Sequence, residues 1–224
     1  MTILDRRVTV VCGHYGTGKT NLSINLAVDC AKEGLKVTLI DMDVVNPYFR
    51  SSDYAKEMSE LGIRILGPNF ANSNLDTPSL PAAIGDSITD DEKVIIDVGG
   101  DDAGATALGV YRRQLSMADP EVIYVVNKYR SQTTVPEEAV EILSEVENAA
   151  HIKATCIANN SHLKDLTTAE TILDSMEFAE KVSELTGLPI KFTTSPVEDV
   201  QLNKIQNMYP VCVYVKAPWE KAGN

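Results

Sequence analysis

The segment Gly13-His14-Tyr15-Gly16-Thr17-Gly18-Lys19-Thr20 constrains the fold of this chain more than any other part of the sequence. It matches the pattern G-x-x-x-x-G-K-[S/T], in which glycines let the backbone curl so that successive N–H groups point at phosphate oxygens. An apolar run precedes it, and a helical pattern over 19–33 follows. The N-terminus of a helix attracts phosphate through its unpaired N–H groups and its dipole. The segment therefore predicts a strand–loop–helix unit that binds a phosphorylated ligand.

The side chains of this phosphate loop have separate predicted tasks. Lys19 places a positive charge at the β- and γ-phosphates, and the Thr20 hydroxyl coordinates Mg²⁺. A glycine-rich turn without a ligand is the alternative, which the flanking strand and helix patterns disfavour. The residues predicted to contact the nucleotide are Gly13, His14, Gly16, Thr17, Gly18, Lys19, Thr20 and Asn21.

Carboxylates follow two of the apolar runs. Asp97 ends the run Lys93-Val94-Ile95-Ile96-Asp97, while Asp41 and Asp43 follow another run two residues apart. Ligands of open α/β sheets bind at the carboxyl ends of the strands. We therefore expect Asp97 to hold Mg²⁺, and one of Asp41 and Asp43 to lie near the metal while the other orients an attacking water. Because aspartate is common in turns, a solvated loop is the alternative for each carboxylate.

Short apolar runs alternate with helical patterns along the whole chain. Near-continuous β-branched runs are typical of strands that helices cover on both faces. The alternation predicts an α/β fold with a doubly wound, mostly parallel sheet and helices on both faces. We expect one domain over 1–224, with a surface loop over 68–81. The predicted strands cover 7–12, 36–41, 63–66, 93–98, 121–127, 151–158 and 190–193, with an edge strand over 211–215, and the predicted helices cover 19–33, 136–149 and 168–186.

The charge balance limits the ligands of this chain. Its 32 acidic and 20 basic residues give a formal net charge of −12. Such a surface argues against DNA or an anionic membrane as the partner, because both are recognised through basic faces. The sequence contains no transmembrane run and no signal peptide pattern. Its four cysteines form no C-x-x-C pair, so neither a zinc site nor a disulfide framework is expected, and a cytoplasmic location is predicted.

The phosphate loop and the two strand-end runs together resemble the MinD/ParA family of P-loop ATPases, which includes CooC-type relatives. That family borders on the CobQ/CobB and dethiobiotin-synthetase enzymes. The runs that carry the resemblance are Leu39-Ile40-Asp41-Met42-Asp43 and Val94-Ile95-Ile96-Asp97-Val98-Gly99-Gly100. The resemblance extends from Arg7 to about Val200. It implies Mg²⁺–ATP binding, slow hydrolysis, and association of two copies when nucleotide is bound.

The resemblance also implies roles for single positions. Asp43 matches the residue that orients the attacking water, and Asp41 matches a carboxylate near the metal. The stretches Asp41 to Asp53 and Asp97 to Gly104 match the two switch segments of the family. One position departs from the pattern, because the family's loop reads K-G-G-x-G-K-[S/T] and its first lysine reaches the partner's phosphates. His14 replaces that lysine here, either as another phosphate contact or as an ordinary loop histidine.

Base recognition is implied by the same resemblance, since an asparagine after a later strand contacts adenine in MinD-like proteins. The run Cys156-Ile157-Ala158-Asn159-Asn160 ends a strand in this way, so we expect Asn159 or Asn160 at the base. Pro196, after the last parallel strand, is expected on its other side. Guanine-specific loops use N-K-x-D, but Asn127-Lys128-Tyr129-Arg130 has arginine in place of the aspartate. ATP is therefore favoured over GTP.

The sequence thus predicts an ATP-dependent molecular switch with weak Mg²⁺-dependent ATPase activity. It would form a homodimer and act on an unidentified protein partner, as in metallocentre maturation. The alternative is an ATP-dependent ligase or kinase of the dethiobiotin-synthetase or CobQ type, in which Arg50, Arg112 or Arg113 would line a substrate pocket. A third interpretation is a nucleotide sensor with negligible hydrolysis. No DNA partner is expected, and no membrane anchor, because the tail lacks an amphipathic helix.

Overall fold

The computed structural model describes residues 3–43, 54–67, 83–131 and 133–215. Its strands are β1 (Val8–Cys12), β2 (Val37–Met42), β3 (Ile63–Leu66), β4 (Lys93–Val98), β5 (Glu121–Val126), β6 (Cys156–Asn159), β7 (Ile190–Ser195) and β8 (Met208–Pro210). They form one sheet in the order β3-β2-β4-β1-β5-β6-β7-β8. Every neighbouring pair in this sheet is parallel. The predicted α/β fold with a parallel sheet is confirmed.

Helices connect most of the strands. They are α1 (Lys19–Lys32), α2 (Ala55–Glu60), α3 (Ala83–Thr89), α4 (Asp102–Gly109), α5 (Arg112–Ala118), α6 (Pro136–Ala150), α7 (Ala169–Asp174) and α8 (Met176–Thr186). The predictions for α1 and α6 are confirmed, and α6 begins with proline followed by two glutamates, which suits a helix N-terminus. The short helices α2 to α5 lack the long periodic patterns from which helices can be predicted.

The predicted helix over 168–186 is wrong in one respect, because it is two helices that meet at Ser175. Thr168 caps the first of them by accepting a hydrogen bond from the backbone N–H of Thr171. The buried Ser175 hydroxyl donates to the Ile172 carbonyl oxygen over 2.7 Å. Such a bond competes with the backbone hydrogen bonds of a continuous helix, which is consistent with the break at this serine.

Apolar side chains from successive strand positions point to opposite faces of the sheet and form two clusters. Val10, Ile40 and Ile96 belong to the cluster that α4, α6 and α8 cover. Val11, Leu39 and Ile95 belong to the cluster that α1 covers on the other face. The sheet is therefore doubly wound, as predicted. Among the described residues, no helix is both long and apolar enough to cross a membrane.

The last predicted strand is wrong. The edge strand is β8, and residues 211–215, which follow it, are not part of the sheet. Side chains of α1 replace the ladder there, because Asn25 accepts from the Cys212 N–H over 2.8 Å and donates to its carbonyl oxygen over 2.9 Å. The predicted strand over 151–158 is also too long, since β6 begins only at Cys156 and His151 ends α6 in a left-handed conformation.

The position of β1 fixes where a ligand can bind. It lies between β4 and β5, and the chain turns to opposite sides of the sheet on either side of this point. Doubly wound sheets have a crevice at such a topological switch point, beyond the carboxyl ends of the strands. The phosphate loop leaves β1 at that end. Residues 44–53, which include Arg50 and most of the predicted first switch, lie outside the described residues, as does the predicted loop over 68–81.

Candidate functional site

The phosphate loop connects β1 to α1 in a backbone path that requires glycine. Gly13 has a φ of +147° and Gly18 a φ of +90°, both in the region that favours glycine. A Cβ atom at Gly13 would lie 2.5 Å from the Val125 carbonyl oxygen, and one at Gly18 would collide with the Asn160 carboxamide. The loop is therefore packed tightly between the ends of β5 and β6, and its path cannot accept side chains at these two positions.

Lys19 is the buried cation of the loop. Its side chain is only 7% exposed, and Nζ donates to the His14 carbonyl oxygen over 2.9 Å. Thr17 Oγ1 donates to the same oxygen over 2.9 Å. Burial lowers the pKa of Lys19, whereas the neighbouring carboxylates of Asp97 and Asp43 raise it. The ammonium group is thus folded over the centre of the loop, on the side where the acidic strand ends lie.

The acidic strand ends meet beside the loop. Asp41 and Asp97 are register partners on β2 and β4, and each is at most 1% exposed. Ser23, nearly one turn after Thr20 on α1, donates to Asp97 Oδ1 over 3.3 Å. The Asp43 N–H donates to Asp41 Oδ1 over 3.0 Å. The sequence places the three carboxylates at the carboxyl ends of the strands, but it gives no signal for the contact of Ser23 with Asp97.

The oxygen atoms of these side chains are of the type that binds Mg²⁺, but there are too few of them to hold the metal alone. Carboxylates and a hydroxyl are hard ligands, and Mg²⁺ commonly takes one or two carboxylates and completes its shell with phosphates and water. In the described part of the chain, no group of three or more His, Cys, Asp or Glu side chains is arranged to hold a metal by itself. Asp41 and Asp97 alone therefore cannot fill a metal shell, and their role with Thr20 as Mg²⁺ ligands stays a prediction.

A second glycine-rich segment, Gly99-Gly100, lies directly against the phosphate loop. A Cβ atom at Gly100 would be 2.6 Å from the Tyr15 Cα and 2.9 Å from Lys19 Nζ. Asp101 then caps α4, accepting from the Gly104 N–H over 2.9 Å. The predicted second switch, Asp97 to Gly104, thus runs from a carboxylate beside Lys19 into the first turn of a helix.

Asn159 ends β6, and Asn160, the next residue, holds the loop from the other side. Asn160 Nδ2 donates to the Thr17 carbonyl oxygen over 2.6 Å, and Asn160 Oδ1 accepts from Thr194 Oγ1 over 2.5 Å. Asn159 is fully buried, and its Nδ2 donates to Ser175 Oγ over 2.9 Å. Both carboxamides therefore connect parts of the protein to one another. This scaffolding role was missed by sequence analysis, and a contact with the base stays a prediction.

The end of β7 opens into a cavity of about 630 Å³. This volume lies in the range of small-molecule sites. Pro196, predicted at the base, stands between Ser195 and Val197, two residues of the cavity wall. The remaining wall combines polar and apolar residues, and consists of Glu198, Asp199, Val200, Leu202, Asn203, Ile205, Met208 and Pro210.

Three residues singled out in the sequence have side chains that face elsewhere. Asn21 uses its carboxamide to hold the C-terminal segment, donating to the Cys212 carbonyl oxygen and accepting from the Tyr214 N–H over 2.8 Å. Arg112 and Arg113 are exposed at the start of α5, after α4 has run about 12 Å away from Asp101. The structure does not bring these arginines to the phosphate loop.

Arg130 reaches the phosphate loop from the segment that follows β5. Its Nε atom is 3.5 Å, and its Cζ atom 3.7 Å, from the place where a Cβ atom of Gly16 would be. The other polar groups of this segment bind within the fold, since Lys128 Nζ forms an ion pair with Asp174 over 2.7 Å. The sequence singled out Arg130 only as a departure from a guanine-binding pattern, and its contact with Gly16 was not foreseen.

The fold has counterparts among solved structures. The signal recognition particle 54 kDa protein from Aeropyrum pernix K1, in complex with GDP, has a TM-score of 0.51, 19% identity and coverage of 83% of this chain and 40% of that chain. FtsY from Thermotoga maritima has a TM-score of 0.56 and 22% identity, and the match covers 85% of this chain and 62% of that chain. FtsY from Elizabethkingia anophelis has a TM-score of 0.53 and 22% identity, and the match covers 91% of this chain and 63% of that chain. This chain spans less than two thirds of each of them, and at such identity the likeness shows the fold alone.

The family is shown by a match along most of the sequence. No curated protein matches the chain significantly. The CobQ/CobB/MinD/ParA nucleotide-binding domain, however, matches residues 8–185, from the start of β1 almost to the end of α8. That range contains the phosphate loop, both acidic strand ends, Asn159 and Asn160. The predicted resemblance is confirmed, and the chain belongs to the CobQ/CobB/MinD/ParA family of P-loop nucleotide-binding domains.

Proposed function

We propose that this protein binds Mg²⁺–ATP and acts as a nucleotide-dependent switch with weak ATPase activity. The observation that carries the proposal is the convergence of a buried lysine and two buried carboxylates, because the phosphate loop with Lys19 leaves β1 beside β4, where Asp97 and its register partner Asp41 lie. Phosphoryl transfer needs positioned charge more than covalent chemistry, and this arrangement supplies charge of both signs beside a phosphate-binding loop.

Each group has a task in the proposed hydrolysis. Loop N–H groups and Lys19 hold the phosphate oxygens. Thr20, Asp41 and Asp97 hold Mg²⁺, which neutralises phosphate charge when bound. Asp43 is half-buried beside this pair and orients the attacking water. The hydrogen bond from Ser23 would help to orient the Asp97 carboxylate, which would be a ligand of the metal.

The switch is proposed to operate through the Gly99-Gly100 segment. It packs directly against Tyr15 and Lys19 of the phosphate loop. Asp101 continues this contact into α4 through its hydrogen bond to Gly104. Order–disorder changes of such segments on γ-phosphate binding are a common switching device. A homodimer and a further protein partner, in a cytoplasmic setting and without DNA, complete the proposal.

ATP is proposed as the nucleotide because neither candidate loop offers a carboxylate to guanine. The asparagine that contacts the phosphate loop is Asn160, and three residues later stands Leu163, where N-K-x-D requires aspartate. The loop after β5 has Arg130 at the corresponding position. The neighbour from Aeropyrum pernix was solved with GDP, so GTP is the competitor against which ATP is to be measured.

The ligase or kinase alternative has less support. It needs basic side chains around a substrate pocket beside the phosphate loop. Arg112 and Arg113 lie beyond α4, and Arg50 is outside the described residues. A nucleotide sensor that hardly hydrolyses uses the same binding residues, and it differs from the switch only in turnover.

The test is phosphate release by the purified protein with Mg²⁺ and either ATP or GTP, alone and with small carboxylic acids. We expect slow ATP turnover that Lys19→Ala abolishes. The matched control Lys36→Ala removes an exposed lysine at the opposite end of the sheet and leaves turnover unchanged. Turnover that appears only with a carboxylic acid would instead support the ligase. Absence of any nucleotide-induced thermal stabilisation would refute the proposal.

A further inference from the structure

Arg130 packs on the middle of the phosphate loop. Its Nε, Cδ and Cζ atoms all lie within 3.7 Å of the place where a Cβ atom of Gly16 would be. Gly16 has a φ of +76°, so the loop turns sharply at this point. A guanidinium that rests on a bare glycine backbone is close to the loop N–H groups that face phosphate oxygens.

The segment that carries Arg130 is held firmly by its other residues. The Arg130 N–H donates to the Asn127 carbonyl oxygen over 3.2 Å, and the Thr133 N–H donates to the Arg130 carbonyl oxygen over 3.1 Å. Tyr129 Oη donates to the Thr171 carbonyl oxygen over 2.6 Å. Within the described ranges, no hydrogen bond or ion pair engages the Arg130 guanidinium. A rigid turn therefore presents an exposed, uncommitted cation at the loop.

The charges around the phosphate loop leave a role for a further cation. Lys19 stands among carboxylates, and at the position where the family carries a second lysine this chain has His14. Arginine keeps its charge at all accessible pH values and binds phosphate through a fork of N–H donors. An arginine supplied by the same chain is a known means of stabilising phosphoryl transfer.

We propose that Arg130 contacts the nucleotide's terminal phosphates from within the same chain and supplies the positive charge that His14 does not. The inference rests on the proposed function and deepens it by assigning a phosphate-binding residue. It places Arg130 at the phosphates rather than at the base, because its contact is with Gly16 at the centre of the phosphate loop.

The test compares Arg130→Ala, Arg130→Lys and the control Lys128→Ala, which removes a cation two residues away that Asp174 already pairs. The probes are ATP, ADP, adenosine and inorganic tripolyphosphate, each with Mg²⁺. Arg130→Ala is expected to weaken ATP and tripolyphosphate binding by about 10-fold or more, in keeping with loss of a charged hydrogen bond. The loss is smaller for ADP and absent for adenosine. Arg130→Lys restores part of the affinity, and Lys128→Ala behaves as wild type.

The outcomes separate this inference from the proposed function. If wild type binds ATP and Arg130→Ala binds it equally well, the inference fails while the proposed function stands. Equal losses for ATP and adenosine also overturn it, because they place the guanidinium on the base. If wild type binds tripolyphosphate but not ATP, the proposed function fails, and the Arg130→Ala effect on tripolyphosphate still decides the inference. If wild type binds neither, both fail.

Discussion

The two sides of the phosphate loop use polar side chains in opposite ways. On the side of β2 and β4, Asp41 and Asp97 lie side by side, and Asp97 and Asp43 act electrostatically on a buried ammonium group. On the side of β6 and β7, Asn159 and Asn160 use their carboxamides to bind other parts of the protein. The acidic side presents charge to a ligand, whereas the amide side holds the loop in place.

This difference decides which substitutions should alter chemistry and which should alter structure. Changes on the acidic side should lower hydrolysis or metal affinity and leave the fold intact. Changes on the amide side should lower stability and weaken nucleotide binding indirectly, because the loop loses its support. Single substitutions on each side test this difference.

The largest effect is expected for Asp43→Asn. If Asp43 orients the attacking water, its loss should slow hydrolysis by about 100-fold or more, the usual contribution of such a group. ATP affinity should change little, because an amide of the same size keeps the backbone contact to Asp41. Phosphate release under single-turnover conditions measures the effect, with the exposed Asp165→Asn as control. Unchanged hydrolysis in Asp43→Asn would remove Asp43 from the mechanism.

On the amide side, His162 should make the stability of the protein depend on pH. Burial, together with the charges of Arg130 and Lys164, lowers its pKa from 6.5 to about 4. The unfolded chain therefore takes up a proton first as the pH falls. Stability is full above about pH 6.5 and declines toward pH 4, by on the order of 3 kcal/mol from this group.

Urea unfolding at pH 7 and at pH 4.5 measures this loss. His162→Gln should show a smaller decline between the two values than wild type. Asp5 and Asp174 do not interfere, since their carboxylate pKa values are lowered from 3.8 by lysine partners and they lose their contribution only below the window. An equal decline in wild type and His162→Gln would show that the buried imidazole does not control this pH dependence.

How far the sequence predicted the site also differs between the two sides. The phosphate loop, Asp41 and Asp97 could be predicted because each residue type is required by its chemistry and follows an apolar strand. Asn160 was recognised as a site residue, but its bond to Thr17 joins residues 143 positions apart. No local pattern encodes such a contact, since it depends on how β6 stands beside the loop. The contact of Arg130 with Gly16 is not encoded locally either, because it depends on the turn that follows β5.

The fold shows the same limit. The parallel, doubly wound character of the sheet follows from strand–helix alternation, which local patterns reveal. The path of the C-terminal segment cannot be predicted from local patterns, because Asn21 and Asn25 bind it across 187 or more positions in the sequence. Its apolar run predicts a strand, and only the partners on α1 show why the sheet ends earlier.

A smaller effect is expected for Asn160→Ala. The variant removes the donor to the Thr17 carbonyl oxygen and leaves the Thr194 hydroxyl with only its 3.4 Å contact to the Asn159 carbonyl oxygen, so the free energy of unfolding should fall by about 1–3 kcal/mol. ATP binding should weaken as well, because the loop is no longer held. Chemical denaturation with and without ATP separates the two effects, and the exposed Asn148→Ala is the control. A variant with normal stability and weakened ATP binding would mean that Asn160 contacts the nucleotide directly.

The smallest effect is expected for Ser23→Ala, which tests the acidic side without removing a charge. The Ser23 hydroxyl donates to Asp97 Oδ1 over 3.3 Å, a long bond between buried partners. Its loss should lower stability by only about 0.5–1.5 kcal/mol. If that bond directs Asp97 toward the metal, the Mg²⁺ concentration for half-maximal turnover should rise several-fold while ATP affinity without metal stays constant. A magnesium titration measures this shift, and Ser144→Ala on the exposed face of α6 is the control. An unchanged titration with lowered stability would place Ser23 in the fold alone, and the acidic side would then depend on structural contacts as the amide side does.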